Sequence, residues 1–199
     1  MIKKIYLIVS LVVFATFLDA NSSDISYVKS NFTKNLDKII NYVKNKNISK
    51  NERNSEVVKI LTPMFDFELM AKLSLGKQWK GLDKNNRERF ITLYVERMKK
   101  SYSSKLDSYS DEKVNILNIT QPKPNRIVLE TDIESDENKH FEVVYKLYKP
   151  KKELKNKDKW LIYDVEIMGV SILKTDKSQF KDFLKNKTIK ELMDNLEKQ

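Results

Sequence analysis

The period of the apolar pattern changes twice along this chain, and that limits the fold more than any composition figure. From Asp24 to Lys46, residues Ile25, Val28, Phe32, Leu36, Ile39, Ile40 and Val43 recur at the spacing of one helix face. Ser49 with Glu52 makes a capping-box pattern that opens a second helix through Leu61, stopped by Pro63. Asp66 caps a short third helix, Phe67 to Leu75, and Gly76 sits where a helix ends on a left-handed residue. After a turn at Gly81 and Asp83, a fourth helix from Lys84 to Asp107 aligns Phe90, Leu93, Tyr94, Met98, Tyr102 and Leu106.

The period then drops to two. Val114, Ile116 and Ile119 mark one strand, and Ile127, Leu129, Thr131 and Ile133 a second. Phe141, Val143, Tyr145 and Leu147 mark a third, and Leu161, Tyr163, Val165 and Ile167 a fourth. Polar connections at 121–125, 135–139 and 149–159 suit antiparallel neighbours, and the last reads as a solvated loop. Gly169 ends the last strand. Thr175 to Lys185 and Thr188 to Glu197, the latter with a Thr188–Glu191 capping box, close the chain as helices. The expected class is α+β: N-terminal helices, a twisted antiparallel sheet of about four strands and C-terminal helices covering one apolar sheet face.

Residues 1–20 stand apart from this body. Lys3 and Lys4 precede a nearly unbroken apolar run from Ile5 to Phe17, and Asp19 and Ala20 lead into polar sequence. This is the layout of a secretory signal peptide with cleavage after Ala20. The run is shorter than the about 20 apolar residues that a membrane span needs. The expected organisation is a signal peptide over 1–20 and one domain over 21–199, working outside the cytoplasm, where nucleic acid is not an expected partner. Without cysteine, the domain relies on its hydrophobic core and holds neither a disulfide nor a thiolate site. A net charge of +10 favours anionic partners, although the basic residues are interleaved with acids throughout.

Catalytic patterns are missing. Three glycines, far apart, make no phosphate-cradling loop. The single histidine, His140, falls in a turn beside Lys139, and Ser171 lacks the second glycine of a nucleophile elbow. Asp164 and Glu166 share the wet face of a strand, and no His and carboxylate cluster suggests a metal. The reading is a protein that is no enzyme, without cofactor or metal. Its notable feature is large, partly polar aromatics on the helix stripe and the strand face. A helical layer held off a curved sheet leaves an apolar cavity, and tyrosine and tryptophan suit its mouth.

Residues 66–79, Asp-Phe-Glu-Leu-Met-Ala-Lys-Leu-Ser-Leu-Gly-Lys-Gln-Trp, resemble the Asp-Phe…Met-Ala…Leu-Gly…Trp segment of the MlaC family. Arg89-Phe90, Tyr102 and Tyr109 follow in the same order. Trp160-Leu161-Ile162-Tyr163-Asp164-Val165, then Gly169-Val170-Ser171 and Gln179-Phe180, resemble that family's Trp-x-x-Tyr-Asp-Val…Glu-Gly-Val-Ser…Gln-Phe block. The similarity covers roughly residues 25–197. Two departures are Met168, where the family usually has an acid, and Asp176-Lys177, where it commonly has Tyr-Arg.

The resemblance implies a monomeric periplasmic carrier with bound phospholipid as cargo. Such carriers shuttle lipid between an outer-membrane lipoprotein complex and an inner-membrane ABC transporter with MCE-domain subunits, maintaining outer-membrane lipid asymmetry. Periodicity and motif position together nominate Phe67, Met70, Leu73, Trp79, Phe90, Tyr94, Val143, Tyr145, Tyr163, Val165 and Val170 as lipid-binding walls, with Gly169 and Ser171 at the edge. The alternative is an exported interaction or chaperone module with a filled core and a basic docking surface.

Overall fold

A computed structural model describes the backbone of residues 2–106, 112–135 and 138–198, with side chains from residue 22 onward except those of 102–106. The side chains of residues 2–21, over which the signal peptide is expected, those of Tyr102 and Leu106, and all of Tyr109 lie outside what is described. The helices are α1 (Ile2–Lys44), α2 (Lys50–Met64), α3 (Phe67–Leu75), α4 (Lys84–Leu106), α5 (Ile172–Phe183) and α6 (Ile189–Glu197), with a 3-10 turn over Gly76–Gly81. The strands are β1 (Lys113–Lys123), β2 (Arg126–Glu134), β3 (His140–Tyr148), β4 (Leu161–Ile167) and β5 (Val170–Ser171), antiparallel in the order β1-β2-β3-β4-β5. Among the described residues the sheet therefore has five strands rather than four. The α+β order is as expected.

Start signals work as read. The Ser49 hydroxyl accepts from the Glu52 N–H at 3.2 Å, and the Thr188–Glu191 capping box is complete. Pro63 does not stop α2, which runs one residue further, to Met64. His140 opens β3 instead of lying in the turn, and α5 starts at Ile172, three residues before the Thr175 expected.

One sheet face carries Ile127, Leu129, Thr131, Val143, Leu147 and Val165, all buried. Cross-strand pairs Thr131–Val143, Leu129–Tyr145 and Tyr145–Val165 keep this face in register. Helix α1 lies against it through Val28 and Phe32, and the Phe32 ring meets Tyr145 edge-on at 5.0 Å. Burial pushes the Tyr145 phenol up to about 12, while the Thr131 side chain pulls the other way.

Strand β4 is buried on both faces. Leu161 and Ile162, then Asp164 and Val165, are consecutive and all hidden. Its outer edge is covered by β5 and by residues 65–66, whose Asp66 N–H donates to the Ile162 carbonyl at 2.9 Å. Asp66 also caps α3, accepting from the Leu69 N–H at 2.8 Å, and accepts from the Tyr148 hydroxyl. Burial, with that neighbouring carboxylate, pushes the Tyr148 phenol well above its ordinary range.

The connection from Lys149 to Lys159 is largely exposed, as read, but it is a strap tied down near both of its ends. Lys157 donates to the carbonyls of Thr62 (2.6 Å) and Phe65 (2.7 Å) at the end of α2, and burial pulls its ammonium below the ordinary value. Asp158 takes a 2.6 Å bond from Asn31, and Lys149 pairs with Asp24 of α1.

Helix α5 is pinned at two points in its N-terminal half. At its start Ser171 caps the helix, accepting from the Lys174 N–H, while its hydroxyl donates to buried Asp164 at 2.8–2.9 Å. One turn on, buried Asp176 accepts from the Tyr94 hydroxyl (2.8 Å) and from Arg97 (2.9 Å) of α4. Two substitutions test these pins. Asp66→Ala removes a cap and strands the Tyr148 hydroxyl, so thermal unfolding should show a loss of about 2–3 kcal/mol. Asp176→Ala removes the carboxylate to which buried Tyr94 and half-buried Arg97 donate and should cost about 2–3 kcal/mol, with Asp176→Asn less harmful because its amide oxygen still accepts.

Candidate lipid-binding cleft

Where β4 turns into β5 the chain makes a two-residue connection, Met168-Gly169, with φ +50° and +75° and Ile167 paired to Val170. Both residues are left-handed, as in a type I′ hairpin turn. The turn carries Val170 to the rim of an apolar cleft of about 300 Å3 between α4 and α5. Met98, Ile167, Val170 and Ile172 give the cleft its apolar wall. Arg97, Ser101, Thr175 and Gln179 supply polar groups around it, with the Asp176–Arg97 pair on one side.

A second space of about 110 Å3, of mixed polar and apolar lining, lies further along between α5 and α6, against Phe180, Phe183, Leu192 and Leu196 with Asn195 among them. The two spaces share Arg97 and Gln179, which form the partition between them. Arg97 is held there by Asp176 and by the Phe180 ring, 5.8 Å from its guanidinium carbon. A larger hollow of about 420 Å3 lies beside the strap, but Asp24, Lys149, Lys157, Asp158 and Lys159 line it. So charged a site does not suit an acyl chain.

The nominated wall residues divide into groups. Val170 lines the cleft, and Ile167 of the same hairpin joins it. Phe90 and Tyr94 are wholly buried one layer behind, their rings 5.8 and 6.3 Å from Phe180. Phe67 stacks on Phe65 at 5.1 Å, with buried Met70 on the same short helix and Leu73 half-buried there. Val143, Tyr145 and Val165 form the sheet face under α1. Trp79 is half-buried beneath the Arg87 guanidinium, 5.5 Å from its ring centre. Tyr163 falls at the β3–β4 register shift, and its ring meets Tyr148 and Arg126. Tyr148 alternates with Leu147 along β3, so Tyr163 lies on the sheet face opposite Val143.

Met98, Ile172, Thr175 and Gln179 were not nominated. Met98 was legible as part of the α4 stripe, but the stripe cannot tell a wall from a core. Ser171 and His140 lie apart in function as well: Ser171 caps a helix, and exposed His140 pairs with Asp132 at 2.7 Å, which raises its pKa. Among the described residues no group of three or more His, Cys, Asp or Glu could hold a metal, and no helix is long and apolar enough to cross a membrane.

Comparison with known proteins bears on this geometry. Seven solved chains match the fold. One is a phospholipid-binding protein from Ralstonia solanacearum, solved in complex with a phospholipid, with a TM-score of 0.72 and 16% sequence identity over 85% of this chain and 94% of that one. No curated protein matches in sequence. Residues 33–198 match the family described as MlaC protein. With most of its length under that match, the chain belongs to the MlaC family.

Proposed function

We propose that this protein binds phospholipid by its acyl chains and carries it between membranes, working in the periplasm. MlaC family membership supports phospholipid binding, as does the fold shared with a phospholipid-bound neighbour. Both point to a binding or transport protein rather than an enzyme. The observation in this chain that carries the reading is the apolar cleft of about 300 Å3 rimmed by polar side chains. The greasy part of a lipid needs shelter from water, and its headgroup does not.

Magnitudes bound what the cleft does. At roughly 30 Å3 per water-sized group, it admits about ten such groups, a length of one acyl chain and not a whole phospholipid. Sheltering ten methylenes contributes about 8 kcal/mol at about 0.8 kcal/mol each. A longer stretch of chain requires the Arg97–Gln179 partition to swing aside, joining the cleft to the space beside Phe183 and Leu196. The headgroup then rests near Ser101, Thr175 and Gln179 at the rim, open to water, so broad headgroup tolerance follows. Of the nominated walls, Val170 is the one at the cleft. Phe90, Tyr94, Phe67, Met70, Val143, Tyr145 and Val165 support it from behind, and they become walls only as the layers separate. Delivery partners are an outer-membrane lipoprotein complex and an inner-membrane MCE-domain transporter.

Organic extraction of the purified protein followed by mass spectrometry should release phospholipid; a lipid-free extract defeats the proposal and favours a docking module with a filled core. Thr175→Trp blocks the cleft from an exposed helix position, giving up only a bond from its hydroxyl to the Ser171 carbonyl. Retained lipid should fall several-fold while the melting temperature moves by no more than about 2 °C. Unchanged lipid content in that folded variant would place the cargo elsewhere.

A further inference from the structure

The turn at the cleft mouth breaks two local rules at once. Met168 is left-handed, at φ +50°, in a turn that favours Asn, Asp or Gly. It is also 58% exposed, and its neighbours Val170 (59%) and Phe141 (39%) are exposed as well. These are three of the five large apolar residues that are exposed among the described residues. Strand register gathers them: Val170 pairs with Ile167, Ile167 with Val143, and the Met168 N–H donates to the Glu142 carbonyl at 2.9 Å beside Phe141. Nothing in the fold is gained by this choice, since Asn at position 168 would relax the backbone and hide nothing less. Rule-breaking of this kind clusters at functional places.

We infer that the Met168 turn, with Phe141 and Val170, is a tip that enters the headgroup layer of an anionic bilayer and brings the cleft mouth against the lipid. Three observations choose this occupant. The patch is a two-residue turn and its neighbours with three exposed apolar side chains, a size suited to entering about 5–10 Å of an interface, whereas a protein partner needs a patch of about 800 Å2. Lys100 and Lys174 are exposed on the two helices that border the cleft, beside Ser101 and Thr175, and the whole chain carries +10. The acidic groups at the tip are exposed Glu142, next to Phe141, with Asp132 opposite it and Glu134 beside Phe141's partner Ile133 on β2, and Glu166. His140 pairs with Asp132 and Lys146 with Glu166, so the net basic side of the tip is the cleft border. The cleft opens at this corner, so an acyl chain leaving a bilayer here meets no water. The inference takes its purpose from the carrier reading, but its test stands apart.

The test is co-sedimentation with vesicles of equimolar phosphatidylcholine and phosphatidylglycerol, and with vesicles of phosphatidylcholine alone. The wild-type protein should bind the mixed vesicles, more weakly as salt rises and more weakly still without phosphatidylglycerol. Met168→Asn combined with Phe141→Thr should lose about tenfold or more in binding. Met168→Asn alone should raise the melting temperature by about 1–3 °C, showing a folded protein with a relaxed turn. Should the double variant fold poorly, Met168→Asn alone decides, with a several-fold loss expected. Wild-type protein that ignores both vesicle types, or variants that bind as well as wild type, overturn the tip. Lipid extracted from the same preparations separates the readings. Cargo without vesicle binding sinks the tip alone, and vesicle binding lost in the variant supports the tip even where no cargo is found.

Discussion

A strand buried on both faces cannot leave its neighbours to chance, and β4 is such a strand. Three hidden carboxylates around it, Asp66, Asp164 and Asp176, set where the helices go. A buried carboxylate without partners is strongly unfavourable, so each of these has only one acceptable arrangement. Asp66 ties α3 to the sheet through Leu69 and Tyr148. Asp164 holds Ser171 and the Leu173 N–H at the head of α5. Asp176 then locks the next turn of α5 to Tyr94 and Arg97 of α4. The cleft lies beside these two points, with Ile172, Thr175 and Gln179 of α5 on one side and Ile167 and Val170 of the corner on the other.

The motif residues take on a different meaning in that light. Asp66 is the helix cap that the sequence suggests, Asp164 is buried rather than on a wet face, and Ser171 at the cleft edge caps a helix, so all three are structural pins here. The Tyr-Asp-Val and Gly-Val-Ser stretches specify a corner: a strand, a left-handed turn, a two-residue strand and a capped helix. Chemistry at this site needs no reacting group. It needs a greasy hollow with a wet rim, held open by polar groups that are themselves satisfied.

Most of the architecture was legible from spacing. Helical and two-residue periods placed six helices and four strands because each element buries one face. The misses have physical reasons. Strand β5 is two residues long and carries no period at all. The 149–159 strap is polar and mostly exposed as its composition says, but composition could not show that Lys157 ties it to the end of α2 and Asp158 to Asn31 within α1. At the site, spacing showed which side of a helix is apolar, but not whether the facing side holds another ring or a void. Phe90 and Tyr94 meet Phe180, whereas Met98, eight and four residues further on and just as much a core residue, has the cleft on one side. Tyr163 shows a second limit: one register shift in β4 turns its ring to the other face of the sheet, and alternation in the sequence cannot reveal a bulge.

The same geometry decides which boundary of the cleft yields most easily. Separating α5 from α4 breaks the Asp176 bonds and parts Phe180 from Phe90 and Tyr94, all of them buried. Moving the turn at Met168 and Val170 undoes the Ile167–Val170 pair and the Met168–Glu142 bond while Ser171 stays pinned by Asp164, and Val170 is already more than half exposed. Local opening follows the least burial lost. Widening therefore starts at the β5 corner, where Met168 sits, and proceeds inward to the Arg97–Gln179 partition. Entry and membrane contact then belong to one place on the molecule, and a chain entering there meets apolar wall first and charge last.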